Sequence, residues 1–230
     1  MRQVDPLADL FPPFGLQISA GPLSMRLFRD ADFEEYARLL NEPVFADLDA
    51  PEVFSWYRDE PTERARSGIR FQWNMRVGLC PAKWSLNFGV WHEDSLIGAQ
   101  DVRATDFAKC RTINSGSWLT LAMHGKGLGK LMRQAMLVFA FDHLGALRAE
   151  SGAVIGNDAS AGVSRACGYI DNGTEVNAET GWQHPIQRFL LTPADFRRPA
   201  ETVTVTGLTP ELLTMLGADH SAGDNDADTD

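Results

Sequence analysis

A glycine-rich turn, His124-Gly125-Lys126-Gly127-Leu128-Gly129-Lys130, is the feature that most constrains this chain. It separates a segment with the alternation of a strand from one with the apolar spacing of a helix. Alternate glycines let the backbone approach a ligand closely, and the first turn of a helix has N–H groups without intrahelical partners. No Ser, Thr, Asp or Asn stands directly before the helix as an N-cap. The pattern predicts an anion site that suits a phosphate group.

The residues on either side of the turn place it in a larger unit. Residues 112–121 alternate with a period of two, which predicts a strand. After the turn, apolar residues recur at helical spacing as far as Phe139, whereas Lys130, Arg133 and Gln134 fall on the other face. The turn therefore opens a helix of about four turns.

Two better-known phosphate motifs do not fit this turn. A Walker loop has four residues between Gly and Gly-Lys and then Ser or Thr, but here three residues separate Gly125 from Gly129, and Leu131 follows Lys130. A dinucleotide fingerprint would need glycine where Lys130 stands. A different phosphate site and a merely flexible turn both remain open at this point.

A second segment follows a predicted strand over residues 149–155. Asn157 or Asp158 can cap a short helix, and Gly168 can end it before Tyr169 begins another strand. The order is then strand, glycine turn, helix, strand, short helix, strand.

With these two segments the chain resembles the GNAT superfamily of acyl-CoA-dependent N-acyltransferases. The first family signature is Gln or Arg, two residues, Gly, one residue, then Gly or Ala. The second is Asn, two residues, Ala or Ser, and later an aromatic residue after Gly. The matching positions are His124, Gly127 and Gly129 for the first signature, and Asn157, Ser160, Gly168 and Tyr169 for the second. His124 departs from the family's Gln or Arg.

The resemblance covers roughly residues 23–192 and implies an α+β fold. Its core is a central twisted mixed β-sheet of about six or seven strands, splayed at the middle and flanked by about four helices. The implied segments are an N-terminal extension (1–22), the acyltransferase domain (23–192), a C-terminal extension packing on it (193–216) and a disordered acidic tail (217–230).

The rest of the chain is consistent with one domain and shows no internal repeat. Alternation and turn residues predict a hairpin from Trp84 to Val102. The other predicted elements are strands over 23–28, 183–191 and 202–205, helices over 30–40 and 62–77, and a helical turn over 210–216.

Composition limits the classes of function. The 230 residues are 44% hydrophobic, without an apolar run of the about 18 residues that span a membrane. The net charge is −10, and no basic stretch is present, so neither nucleic acid nor a membrane is an expected partner. Cys80, Cys110 and Cys167 form no CxxC pair, which indicates neither a metal nor a disulfide. The first residues lack a signal-peptide core, so we expect a cytoplasmic protein.

The resemblance implies acetyl-CoA or succinyl-CoA as the acyl donor and no metal. Succinyl-CoA enters because residues 115–119 and 157–169 are similar to the ribosomal-protein alanine acetyltransferase branch and its succinyl-CoA transferase-like members. Backbone N–H groups near Leu119, Leu121 or Met123 would contact the thioester carbonyl or the pantetheine arm. The implied cofactor-binding positions are Leu119, Leu121, Met123, His124, Gly125, Lys126, Gly127, Leu128, Gly129, Lys130, Asn157, Ser160 and Arg165.

Acyl transfer to an amine needs close positioning, donors for the oxyanion, a base and a proton for the departing thiolate. Many family members supply that proton from a Tyr seven residues after the Asn. Here Ser164 stands at that position and is the predicted acid, although it could equally bond its own backbone. Asn157 would contact pantetheine or a bridging water. Glu150, Asp101 and His124 are the candidate bases, and His124 is better suited to a cofactor phosphate.

The acceptor is predicted to be a primary amine on a protein N-terminus, a lysine or a small molecule, and a homodimer is open. An Arg from the second helix could hold a succinyl carboxylate, or this stretch could be a solvated basic face. The residues concerned are Arg64, Arg66, Arg70, Phe71, Trp73 and Arg76. An antibiotic-modifying or self-protecting acetyltransferase and a non-catalytic CoA-binding module are the alternative functions.

Overall fold

A mixed β-sheet forms the centre of the molecule in a computed structural model that describes residues 6–46, 55–176 and 184–219. Its strands run in the order β10-β1-β2-β3-β4-β5-β7-β9-β8, and β6 also pairs with β4. The β5–β7 pair is parallel and the other pairs are antiparallel. The strands are β1 (Gln17–Ala20), β2 (Leu23–Leu27), β3 (Lys83–His92), β4 (Ser95–Thr105), β5 (Thr112–Asn114), β6 (Ser117–Leu119), β7 (Arg148–Val154), β8 (Ile170–Glu175), β9 (Ile186–Leu191) and β10 (Val203–Thr206).

Helices pack against the sheet through two apolar clusters. The larger cluster includes Ala135 and Met136, and the smaller includes Phe33 and Tyr36. The helices are α1 (Phe33–Leu39), α2 (Pro61–Val77), α3 (Phe107–Cys110), α4 (Leu128–Val138), α5 (Asp158–Cys167) and α6 (Pro210–Met215). A π-helical turn, Phe139–His143, continues α4. In the described part of the chain, no helix is long and apolar enough to cross a membrane.

The predicted α+β class and mixed sheet are confirmed, but within the described residues the sheet has ten strands, more than the six or seven expected. The two predicted extensions account for part of the difference, because each contributes a strand. Gln17 of β1 pairs with Thr206 of β10 and with Arg26 of β2. The first and last parts of the described chain therefore widen the sheet at one edge.

The strand predicted over residues 112–121 is broken in two. The break lies at Ser115 and Gly116, where the N–H of Ser115 donates to Glu150 O at 3.2 Å and the N–H of Asp101 donates to Gly116 O at 2.8 Å. Beyond the break, β6 stays with β4 while β7 continues beside β9. We call the opening between β6 (Ser117–Leu119) and residues 151–154 of β7 the strand gap.

Three residues are more buried than the sequence predicted, namely Arg133, Gln134 and Ala218. Arg133 and Gln134 were expected on a polar face of α4 but are each 3% exposed, and they donate to Ser151 Oγ and Arg197 O, respectively. Ala218, which fell within the predicted disordered tail, is buried, and Trp84 Nε1 donates to the neighbouring Leu216 O at 2.8 Å. Residues 220–230 of that tail lie outside the described residues.

Candidate active site

The glycine-rich turn is an exposed donor-rich entrance to α4. Gly125 and Gly127 adopt φ of 72° and 78°, which few other residues tolerate. A Cβ at either glycine would meet no atom within 4 Å, so the space beside the turn is open. None of the described backbone oxygens accepts from the N–H groups of residues 125–130. The predicted phosphate cradle therefore has free donors and room for a ligand.

The side chains of the turn have different roles. One ring nitrogen of His124 lies 3.0 Å from Leu119 O, so this imidazole ties the turn to the end of β6. Lys126 and Lys130 are exposed beside the free N–H groups. The turn thus combines backbone dipoles with two cations, and His124 has one ring nitrogen left for a further contact.

The strand gap presents two backbone donors. Thr120 N donates to Ile97 O, and antiparallel pairing alternates, so the N–H groups of Ser117 and Leu119 point away from β4 and into the gap. The N–H groups of Leu121 and Met123 are not available for a ligand, since they donate to Pro43 O and Thr120 O in a 3₁₀ turn. Of the three predicted backbone contacts, only the one at Leu119 faces the gap.

A cavity of about 1350 Å³ lies against the same part of the sheet. Its wall includes Gly116, Ser117 and Trp118 at the strand break, and Glu150 on β7. Phe71 of α2 also lines the cavity. The cavity therefore reaches both strands where they separate.

Two carboxylates, Asp101 and Glu150, line this cavity. Asp101 accepts from the N–H of Gly116 at 2.8 Å, and Nη1 of Arg103 lies 2.9 Å from both of its oxygens. Burial raises the pKa of Asp101, and the charge of Arg103 partly opposes that rise. Glu150 instead forms ion pairs with Arg148 at 3.2 Å and Arg188 at 2.8 Å.

The second signature segment forms α5 as predicted. The side chain of Asn157 caps the helix by accepting from Ser160 N at 3.1 Å, and Gly168 ends it in the left-handed conformation. Ser164 is fully buried, does not line the cavity and has no hydrogen-bond partner for its hydroxyl among the described residues. Arg165 is exposed and forms an ion pair with Asp171 at 3.1 Å. The structure therefore does not bring Ser164 to the cavity wall.

The arginines of α2 are separate from the cavity. Arg64 donates to Leu40 O, Arg66 pairs with Glu63, Arg70 donates to Ser67 Oγ, and Arg76 pairs with Asp30. None of these four lines the cavity, and neither does Trp73. The prediction that one of these arginines holds a succinyl carboxylate is not supported by this geometry, because their guanidinium groups serve local contacts.

Sequence analysis missed the polar residues at the strand gap. Arg133 of α4 donates to Ser151 Oγ at 3.0 Å and to Ser117 Oγ at 2.9 Å. Arg103, which orients Asp101, was also missed. One signal was present, since Arg133 stands between runs of apolar residues in α4. Across the described ranges, no group of three or more His, Cys, Asp or Glu side chains could hold a metal ion.

The family model described as an acetyltransferase (GNAT) domain matches residues 23–170. The chain belongs to the GNAT acetyltransferase family. It is therefore an N-acetyltransferase of a family that uses acetyl-CoA as the acyl donor and amines as acceptors. The suspected resemblance is confirmed.

Solved structures share this GNAT fold at low identity. RimJ from Mycobacterium smegmatis, in complex with CoA-disulfide, is 17% identical with a TM-score of 0.64, over 82% of this chain and 91% of that one. RimL, a ribosomal-protein acetyltransferase in complex with CoA, is 15% identical with a TM-score of 0.58, over 74% and 94%. Spermidine N-acetyltransferase from Vibrio cholerae, in complex with CoA and spermine, is 16% identical with a TM-score of 0.57, over 76% and 97%.

Proposed function

We propose that the protein transfers an acetyl group from acetyl-CoA to the terminal amine of a peptide or protein, by direct attack in a ternary complex. The observation that carries this proposal is that one cavity reaches both diverging strands and holds two carboxylates. An amine in the cavity and a thioester in the strand gap would meet at the strand break. No covalent enzyme intermediate is needed.

On the donor side, the N–H groups of residues 125–130 would bind the pyrophosphate, with Lys126 and Lys130 beside it. The pantetheine arm would enter the strand gap, where the N–H of Leu119 is directed. Asn157, whose side-chain amide nitrogen is not used in capping, would contact the same arm. Acetyl is favoured over succinyl because the four arginines of α2 do not line the cavity. Arg103 and Arg148 do line it, but both already form ion pairs with the cavity carboxylates.

On the acceptor side, Asp101 is the proposed general base. It lies at the strand break through its bond from Gly116 N, and its raised pKa makes it a better proton acceptor than an ordinary aspartate. Glu150 faces the same cavity but forms ion pairs with two arginines, Arg148 and Arg188. Glu150 then attracts and orients the cationic amine.

The size of the cavity favours a peptide acceptor. Its volume of about 1350 Å³ exceeds the roughly 300–1,000 Å³ typical of sites for small ligands. Trp118 and Phe71 offer apolar contacts for residues that follow the amine. A small cationic amine, including an antibiotic, would use the two carboxylates but leave much of the wall uncovered.

Release of CoA thiol with a panel of amines tests the proposal. The panel contains a short peptide with a free N-terminus, the same peptide blocked at its N-terminus but carrying a lysine, and spermidine, each with acetyl-CoA and with succinyl-CoA. We expect turnover of the free peptide with acetyl-CoA. Binding of CoA without turnover of any amine would instead indicate a binding module, and a preference for succinyl-CoA would reject the donor assignment.

Two matched variants test the base. Asp101→Asn and Glu150→Gln each remove one negative charge from the same cavity wall. If Asp101 accepts the proton, Asp101→Asn lowers kcat by about 10²–10⁴-fold. Glu150→Gln should mainly raise KM for the amine. Equal losses of kcat in both variants would show that the wall charge matters and that Asp101 has no special role.

A further inference from the structure

Arg133 is a buried cation that bridges the strand gap. It is 3% exposed, and its Nη1 donates to Ser151 Oγ on β7 at 3.0 Å. Its Nη2 donates to Ser117 Oγ on β6 at 2.9 Å. Its Nε has no hydrogen-bond partner among the residues that the structure describes. The two serines belong to strands that do not pair with each other, so the guanidinium lies where the sheet opens.

No described carboxylate neutralises this guanidinium by an ion pair. The two cavity carboxylates pair with other arginines, Asp101 with Arg103 and Glu150 with Arg188. A buried charge without a counter-ion is costly, and neutral side chains could join the two serines without that cost. The strand gap therefore contains a positive charge that is suited to an anion.

The ionisable groups around Arg133 leave it the dominant charge in the gap. The positive charge of Arg133 acts to lower the pKa of three groups, Asp101 on β4, Cys167 on α5 and Tyr169 before β8. Burial raises the pKa of Cys167 to about 11 and also raises that of Tyr169, so both are neutral near pH 7. Asp101 already accepts hydrogen bonds from Arg103 and from Gly116 N. Lys130 is the other cation whose charge acts to lower the pKa of Cys167.

We propose that Arg133 stabilises the thiolate of CoA as it leaves the acyl group. This inference rests on the proposed function, since it requires the pantetheine arm to lie in the strand gap. The amine nitrogen forms the new C–N bond, the C–S bond breaks, and its electron pair remains on sulfur. The guanidinium of Arg133 pairs with that thiolate, and Asp101 takes the proton that the amine loses. This step needs no proton from Ser164.

Binding of CoA compared with desulfo-CoA tests this inference without an acceptor. Desulfo-CoA lacks the thiol, so it measures every contact except the one proposed. If Arg133 faces the thiolate, the bound thiol has a lowered pKa, as thiols beside Arg do. The dissociation constant of desulfo-CoA divided by that of CoA should then rise between pH 6.5 and pH 10, towards a limit of about tenfold for each unit by which the thiol pKa is lowered. Thiolate absorbance of the complex gives the same pKa directly.

Variants assign that effect to Arg133. In Arg133→Gln, the preference for CoA at high pH should disappear while desulfo-CoA still binds, which also shows that the variant is folded. Arg133→Lys retains the charge and should keep part of the preference. A role confined to joining the strands would weaken both ligands equally and leave the thiol pKa unchanged.

The possible failures are distinguishable. If the wild type binds both ligands equally at every pH, or if Arg133→Gln keeps the wild-type ratio, this inference is overturned and the proposed function is not. If Arg133→Gln changes the preference for succinyl-CoA over acetyl-CoA but not the pKa of the bound thiol, the inference is also overturned. If the wild type binds neither ligand, the proposed function fails and the inference fails with it.

Discussion

Replacing Ser164 with Ala distinguishes a catalytic role of its hydroxyl from that of a buried group outside the reaction. The hydroxyl of Ser164 is fully buried and has no hydrogen-bond partner in the described structure. A buried hydroxyl without a partner costs about 1–3 kcal/mol. Alanine is also the better helix former by about 0.5 kcal/mol, and the void left by one oxygen is small at about 24 cal/mol per Å³. We expect Ser164→Ala to raise the free energy of unfolding by about 1–2 kcal/mol.

Thermal and urea unfolding measure this change. For a domain of this size, 1–2 kcal/mol corresponds to an increase in Tm of about 2–8 °C. Ser151→Ala is the matched control with the opposite sign. Its hydroxyl accepts from Nη1 of Arg133 at 3.0 Å, so removing it leaves a buried charged donor unpaired and should cost about 1–3 kcal/mol or more.

The same variant tests catalysis. If Ser164 is the acid for the thiolate, as its place in the signature predicts, Ser164→Ala should lose about 10²–10⁴-fold in kcat without losing stability. If the hydroxyl remains buried during turnover, kcat should stay within a factor of about two. A lower Tm for Ser164→Ala would refute the stability reasoning, because it would show that the hydroxyl has a partner.

Three further predictions concern other parts of the fold. Gly98→Ala should lower the free energy of unfolding in urea by about 1–3 kcal/mol or more, because its Cβ would clash with the backbone oxygen of Trp118 in β6. Ellman's reagent should label two thiols, Cys80 and Cys110, in the native protein and also Cys167 in denaturant, since Cys167 is buried and its pKa is raised to about 11. Burial raises the pKa of Asp101 above 3.8, so the stability that its neutral form contributes is present below that value and is lost as the pH rises through the folded pKa. The Tm of Asp101→Asn relative to wild type should therefore increase with pH over that interval, and a difference that is constant with pH would contradict the assignment.

Local patterns were sufficient to predict the elements that we propose bind acyl-CoA. The turn at Gly125 and Gly127, the helix after it and the Asn157 cap depend on residues close in sequence, and all three are confirmed. By contrast, β1 was missed because four residues carry little signal. It pairs with β2 and also with β10, whose residue Thr206 is far along the chain from Gln17.

The residues that we propose act in catalysis are positioned by contacts between distant segments, which the periodicity of the sequence does not show. Alternation could not decide which face of β4 holds Asp101, because that face is defined by the cavity and by the bond from Gly116 N. Helical spacing placed Arg133 on a polar face, and only the separation of β6 from β7 creates a buried site for its guanidinium. The break within residues 112–121 was hidden for the same reason, since its period of two continues across Ser115.

The strand gap weakens the fold at the place where chemistry is proposed. The separation of β6 from β7 leaves backbone donors unpaired, and the buried charge of Arg133 and the buried hydroxyl of Ser164 add to the cost. At one edge of the sheet, β1 and β10 extend it. The side chain of Trp84 donates a hydrogen bond to Leu216 O in the chain after α6. Because these strand pairs and this hydrogen bond involve neither β6 nor β7, they can stabilise the sheet without closing the site. Loosening this edge should therefore reduce stability while leaving the thiol pKa of bound CoA unchanged.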